Sequence, residues 1–489
     1  MPAKRSLIAA LVYLLAVAVP AQASSIPTIQ QIDLNPMAPS SQPGTYYPFG
    51  NKVYFLAEDG VHGQELWGSD GAPADGTDGS EMICDLRVGA LSGASQVIGA
   101  LGDWLYFVGN DGTNGGELYR TNGSVESCDI VPINASGDAN VRDAQIVGDQ
   151  LWFSANDGTS GDEPWLIDNN AAPVLVHDIL NGPDGSEPSR FTRLGSYVYF
   201  AATDGTSGTE LWRSDGTTAD IVADITTAAG VGSYPYGLIA YDGRLYFAAH
   251  DITHGYELWS TDGASPAQLI DVNAVDDHSS NPNNFTLFDG SLYFTAYSDS
   301  AGQEWWRTDG VSLSQLADLN PGANGSSPSW PFVDGDYLYF QADNGVSGSE
   351  MWRTNGTATQ LVKDLAPGAS SSYAGGFVAA DGGVLFAATD GTQWTAWITN
   401  GTAAGTFKAV NLTGANAFLG CECDTPIRML NGRAFTYMGN DAYGYEPAFF
   451  DPLLPATDRA PSSIPATLAI AAALTAAAAL TLRRGARTA

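Results

Sequence analysis

The chain has 489 residues, 54 acidic and 20 basic, for a formal charge of −34. A surface this acidic repels nucleic acid and anionic lipid, which excludes both as broad partners. Glycine at 56 positions, with 12 Trp and 21 Tyr, suits short strands joined by tight turns and excludes a helical bundle or a disordered chain.

Taken in chain order, residues 1–23 combine Lys4 and Arg5, an apolar stretch from Leu7 to Val19 and an AQA site ending at Ala23. That is the pattern of a secretory signal peptide. The body, 24–452, opens on IDLNPMAPSSQP at 32–43, which matches ADLNPGANGSSPS at 317–329. A repeat then begins. The aromatic residue after each repeated Glu stands at Trp67, Tyr119, Trp165, Trp212, Trp259, Trp306, Trp352, Trp397 and, more loosely, Phe449, with most steps 45 to 47 residues. A period of about 47 is that of propeller blades.

One unit shows the pattern. YPYGLIAY ends at the turn Asp242-Gly243, RLYFAAH forms a second strand and DITHG a loop. YELWST is a third strand, Asp262-Gly263 a second turn, and PAQLIDV a fourth strand. Asp-Gly and Asn-Gly recur at these places, the hairpin signal in which both central residues take φ > 0. Four antiparallel strands per unit predict an all-β fold, a β-propeller of four-stranded blades.

Nine second-and-third strand pairs begin near Val53, Leu105, Leu151, Val198, Leu245, Leu292, Leu338, Val384 and Ala434. The last unit lacks a good fourth strand, and the first body segment is a fourth strand standing before any first. Nine blades closed by an N-terminal strand follow, with eight blades and one unit outside the ring as the alternative. Residues 453–465 read as a Pro/Ser linker. Ala466 to Leu482 is an apolar run, at the short end for a membrane span, and 483–489 a basic tail with Arg483, Arg484 and Arg487. The expectation is an exported protein held at the cell surface, or the outer face of the membrane, by a C-terminal helix.

ELWGSDG, ELYRTNG, ELWRSDGT, ELWSTDG, EWWRTDG and EMWRTNGT resemble the ELWxxDGT repeat family of surface and secreted proteins, over Asp33 to about Pro452. That family is defined by its repeat, not by a reaction. The set Ala57, Asp59, Gly63, Trp67 resembles the tryptophan-docking motifs of quinoprotein-type propellers, as do Ala202, Asp204, Gly208, Trp212 and, with one residue shifted, Ala342, Asp343, Gly348, Trp352. The resemblance implies blade docking by Trp67, Tyr119, Trp165, Trp212, Trp259, Trp306, Trp352 and Trp397, while Asp and Gly shape the loop.

Two roles compete for the loop carboxylates Asp59, Glu65, Asp111, Glu117, Asp157, Glu163, Asp204, Glu210, Asp251, Glu257, Glu304 and Glu350, and for Glu446 in the last unit. Their recurrence favours structure, each Glu accepting hydrogen bonds from its own DGxxG loop or from the backbone of a neighbouring blade, since a ring needs identical joints and only one active site. Thr395 takes the place of Glu in unit eight. Weak calcium is the other role, because Asp and Glu six residues apart around glycines offer oxygen ligands; no alternating Asp pattern supports it, and no other cofactor is expected. Cys84, Cys128, Cys421 and Cys423 are disulfide candidates with three connectivities open.

No GxSxG, HExxH, P-loop or Rossmann fingerprint is present. His62 and His254 occupy the same loop position in two units, so they vary the repeat and do not form a metal pair. The reading is a non-catalytic recognition or display protein with a carbohydrate or protein partner. A propeller hydrolase or lyase acting on an extracellular polymer and a structural surface-layer component are the alternatives. The departures from the repeat at 71–83, 273–284 and 403–423 are the expected partner loops.

Overall fold

The computed structural model describes residues 29–452, apart from 36–39, 72–78, 136, 170, 227, 229, 265–266, 276–277, 411, 413–417, 420–426 and 441–443. Nine antiparallel sheets are arranged as a propeller. Eight have four strands in chain order. The ninth carries two short inner strands, Phe418–Leu419 and Arg428–Leu430, both paired with Arg433–Asn440. Its outermost strand is Gln30–Gln31 from the N-terminal end, paired with Phe449 and Ala448. Nine blades closed by that strand are what the repeat count and the displaced fourth strand predict, so no unit lies outside the ring.

Each blade's first strand lies against the first strand of the next blade, and Arg428–Leu430 lies against Tyr47–Phe49 to complete the circle. These innermost strands therefore surround the central axis. Second strands such as Lys52–Glu58 and Tyr197–Thr203 are buried through their middle on both faces, because a neighbouring blade covers each side. That double burial explains their unbroken apolar runs. Nine separate apolar clusters form, one per joint; the closing one joins Phe435 and Phe449 to Ile32, Tyr46, Val53 and Phe55. At one end of the ring, arginines reach the hairpin of the next blade: Arg307 Nη1 donates to Gly356 O at 2.8 Å, and Arg433 of blade 9 does the same to Gly71 of blade 1.

The turn expectation divides in two. Asp242-Gly243, Asp289-Gly290 and Asn431-Gly432 have both residues at positive φ. In the ELWRSDGT turn only Gly216 does (φ 96°). There Asp215 Oδ1 accepts the N–H groups of Thr217 at 2.9 Å and Thr218 at 3.1 Å, so an aspartate-capped turn replaces the mirror-image hairpin.

Cys84 and Cys128 form a disulfide across 44 residues, tying the fourth strand of blade 1 to blade 2. Cys421 and Cys423 lie outside the described residues. Replacing both Cys84 and Cys128 by Ser is expected to lower stability by up to about 4 kcal/mol through loop entropy, read from denaturant midpoints; an unchanged midpoint would mean the two blades are already fixed by packing.

One expectation is corrected. Every element among the described residues is a strand, and none of those residues forms a helix long and apolar enough to cross a membrane. The buried apolar residues that are described go into blade-to-blade packing. The C-terminal transmembrane helix, the membrane contact and the anchored localisation therefore find no support in the structure; 466–482, like the signal peptide 1–23, the linker 453–465 and the tail 483–489, lies outside the described residues.

Candidate functional site: the mouth of the central channel

The repeated glutamates build the joints. Glu65, Glu117, Glu163, Glu210, Glu257, Glu304, Glu350 and Glu446 are each fully buried. Their partners lie on the segment that leaves the fourth strand and crosses to the next blade. Glu163 accepts the N–H groups of Ile179, Leu180 and Ser186, each at 3.0 Å, and the Ser186 hydroxyl at 2.6 Å. Glu210 repeats this with Ile225 and Ser233, and Glu257 with Val272 and Ser280. Burial pushes the Glu65 and Glu210 carboxyls up to about 7, with the nearby Asp85 and Asp224 adding repulsion and the hydrogen bonds opposing. In blade 8 the buried Thr395 hydroxyl instead donates to Val410 O at 3.5 Å.

The docking aromatics are placed as regularly. Trp165, Trp212, Trp259, Trp352 and Trp397 belong to clusters shared with the preceding blade, and Tyr119 packs on Phe107 at 5.7 Å in blade 2. Trp67, Trp165, Trp259, Trp306, Trp352 and Trp397 donate their indole N–H to an alanine carbonyl of the adjacent second strand, at 3.0 to 3.2 Å. A large ring with a satisfied N–H is a stable joint.

The loop aspartates cap their own turns. Asp204 Oδ1 accepts Thr206 N and Ser207 N at 2.8 Å, and Asp59, Asp157 and Asp251 do the equivalent. N–H donors from Asn114 and Thr113 hold the Asp111 carboxyl below its usual range. His62 and His254 bind these caps, at 2.6 Å to Asp59 and 2.8 Å to Asp251. Among the described residues no group of three or more His, Cys, Asp or Glu could hold a metal ion, and one oxygen of each of these loop aspartates already accepts backbone N–H groups.

What breaks the symmetry lies elsewhere, where each crossing segment enters a first strand. Two left-handed residues recur there. The first set is Gln42, Asn140, Glu187, Tyr234, Asn281, Ser327 and Tyr373, at φ 47° to 51°. The second sits in a bulge of the innermost strand: Asp143, Arg190, Gly237, Asn284, Trp330 and Gly376, at φ 49° to 66°. Non-glycine residues rarely hold φ > 0, and bulges re-aim side chains beside functional sites. Gly237 is required twice over, since Phe285 leaves no room for a Cβ at a positive φ. The segment is tied to the loop end of the blades by bonds such as Ser186 N to Asp162 O and Thr203 N to Ser186 O, so these residues ring the channel at that end.

Aromatic groups concentrate on the same rim. Tyr373 is 53% exposed and stacks on Trp394, with centroids 6.3 Å and planes 23° apart. Trp330 lies over Gly375 beside it. On blade 5, Tyr234 is 50% exposed, Tyr236 and Tyr256 are 5.8 Å apart, and His250 meets Tyr256 at 5.1 Å. Sequence reasoning passed over these positions. The available signal is the Ser-x-Pro that recurs before first strands (SQPG, SEPS, SYPY, SNPN, SSPS), constant around variable residues. The expected partner loops are only partly described; 72–78, 276–277, 411, 413–417 and 420–423 lie outside the described residues.

No family model matches the chain, and no curated protein does. Solved structures similar to it include one from a study of two prolyl endopeptidases, at 13% identity and TM-score 0.40, covering 67% of this chain and 50% of that one. A puromycin hydrolase is 13% identical with TM-score 0.36, covering 79% and 62%. The β-propeller domain of the Trilobed protease from Pyrococcus furiosus, described as having an open velcro topology, is 9% identical with TM-score 0.35, covering 66% and 97%. This chain thus spans half of the prolyl endopeptidase and under two thirds of the hydrolase.

Proposed function

We propose that the chain is a non-catalytic recognition propeller of the ELWxxDGT repeat kind, and that its channel mouth binds carbohydrate. The observation that carries this reading is Tyr373, half-exposed at a left-handed position, stacked on Trp394 and flanked by Trp330 and the small residues Gly375 and Gly376. Exposed aromatic faces stack on the apolar faces of sugar rings, while phenol and indole edges keep polar contacts. Loops on a rigid scaffold are where such contacts are read. The carboxylates repeated around the ring are engaged in joints and turns, which favours binding over acid–base turnover.

The test is a saccharide-binding screen followed by titration calorimetry on the tightest ligand. Tyr373→Ala is expected to weaken that ligand at least about fivefold and to leave the melting temperature within ~2 °C, because the ring is half in solvent. Ligand incubated with the chain should show no new chain ends; turnover would favour the hydrolase or lyase reading, and unchanged affinity in Tyr373→Ala would remove the aromatic platform from it.

A further inference from the structure

Resting on that reading, we infer that the rim where blades 4 and 5 meet takes an anionic sugar residue, its carboxylate or sulfate held by Arg190 and its ring set against Tyr234 and Tyr256. Arg190 is exposed on the innermost strand Ser189–Leu194. No Asp or Glu of the described residues lies within ion-pair distance of it; Glu187, three residues earlier at the other left-handed position, makes no pair with it. Its one hydrogen bond is long, Nη1 to Pro235 O at 3.4 Å.

Four other arginines of the ring are tied down. Arg142 pairs with Asp162, Arg193 holds Val147 O and Gln150, and Arg213 and Arg307 bind hairpin carbonyls. Arg190 therefore keeps most of its five donors for a ligand. That fork matches two oxygens of a carboxylate or sulfate.

Its surroundings complete a sugar-sized contact. The guanidinium lies close enough to Tyr236 and Tyr256 to favour their ionised forms, although burial dominates and pushes the Tyr236 phenol up to about 12. Tyr256 is flanked by Tyr236 and His250, and Tyr234 exposes half its surface beside them. In a chain of charge −34, general electrostatics cannot gather an anion. A local fork beside aromatic faces can, since repulsion from charges beyond roughly 8 Å is screened at physiological salt. Arg190 holds φ 63° at the position where blades 5 and 8 place Gly237 and Gly376, so glycine fits this backbone without strain.

Calorimetric titrations of the full chain with trigalacturonate, a sulfated galactan oligosaccharide and neutral galactotriose at 150 mM salt test the inference. Wild type and Arg190→Gly are compared, glycine being the residue the fold already uses at this place. The expected result is binding of an anionic oligosaccharide that Arg190→Gly weakens about tenfold or more, with neutral binding and melting temperature unchanged. Binding of trigalacturonate alone assigns a carboxylate, and of the galactan alone a sulfate ester. If Arg190→Gly binds the anionic ligands as tightly as wild type, the inference is overturned and the recognition reading stands. If wild type binds neutral galactotriose but neither anion, the outcome is the same. If it binds none of the three and no other saccharide, both fall.

Discussion

A chain lacking residues 29–35 is expected to melt roughly 5–10 °C below the full chain. Those residues supply the outermost strand of blade 9, and several interactions go with them. Gln30 and Gln31 pair with Phe449 and Ala448. Ile32 N donates to Pro447 O at 2.7 Å, and Leu34 N to the buried Glu446 at 3.1 Å. Ile29 joins the apolar cluster between blades 8 and 9, and Ile32 the one between blades 9 and 1. Each buried isoleucine is worth about 1.5–3 kcal/mol, and Glu446 would lose one of its donors in a buried place. Ile32→Asp, which keeps the strand but buries a charge among Tyr46, Phe55 and Phe435, is expected to cost about 3–5 kcal/mol by itself. Calorimetric melting reads both. A truncated chain that melted with wild type would mean that the ring is closed without the N-terminal strand.

Stability is expected to be higher at pH 5 than at pH 8, by at least ~3 °C in melting temperature. The cause is the ring of buried glutamates, whose carboxyls are raised by burial, those of Glu65 and Glu210 to about 7. The sign follows from which state binds protons more tightly. With the folded pKa above the unfolded value of 4.5, the folded chain holds its protons in a window where the unfolded chain has released them. The stabilisation is fully present below pH 4.5 and is lost as pH rises through about 7. Glu210→Gln removes one such group and should reduce the difference between the two pH values. A melting temperature that rose from pH 5 to pH 8 would show that the backbone N–H groups and Ser233 outweigh desolvation.

The fold was legible because its signals are local and repeated. Continuous runs of strand formers such as RLYFAAH, Asp-Gly turns and a period near 47 residues define a blade, and a fourth strand displaced to the N-terminus defines closure. Even the turn that differs, Asp215-Gly216, differs through the side chain of the same aspartate. The glutamate could be read as structural from recurrence, but not its partner. Ser233 lies 23 residues beyond Glu210 and meets it only when the next blade is docked. The channel mouth was illegible for a stronger reason. A left-handed position is recognised in sequence by Gly or Asn, and here the ring imposes it on Asp143, Arg190, Trp330, Tyr234 and Tyr373. Tertiary packing decides those backbones, so no propensity announces them. The ends of the chain, where the sequence speaks of export and anchoring, lie beyond the described strands.

The measurement that tests the account most directly is saccharide affinity in wild type and Tyr373→Ala, with the melting temperature of each taken on the same samples. If the repeated residues are joints and recognition sits where the repeat breaks at the channel mouth, affinity falls at least about fivefold while melting stays within ~2 °C. Equal affinity in the two proteins would contradict that division and move the binding surface away from the mouth.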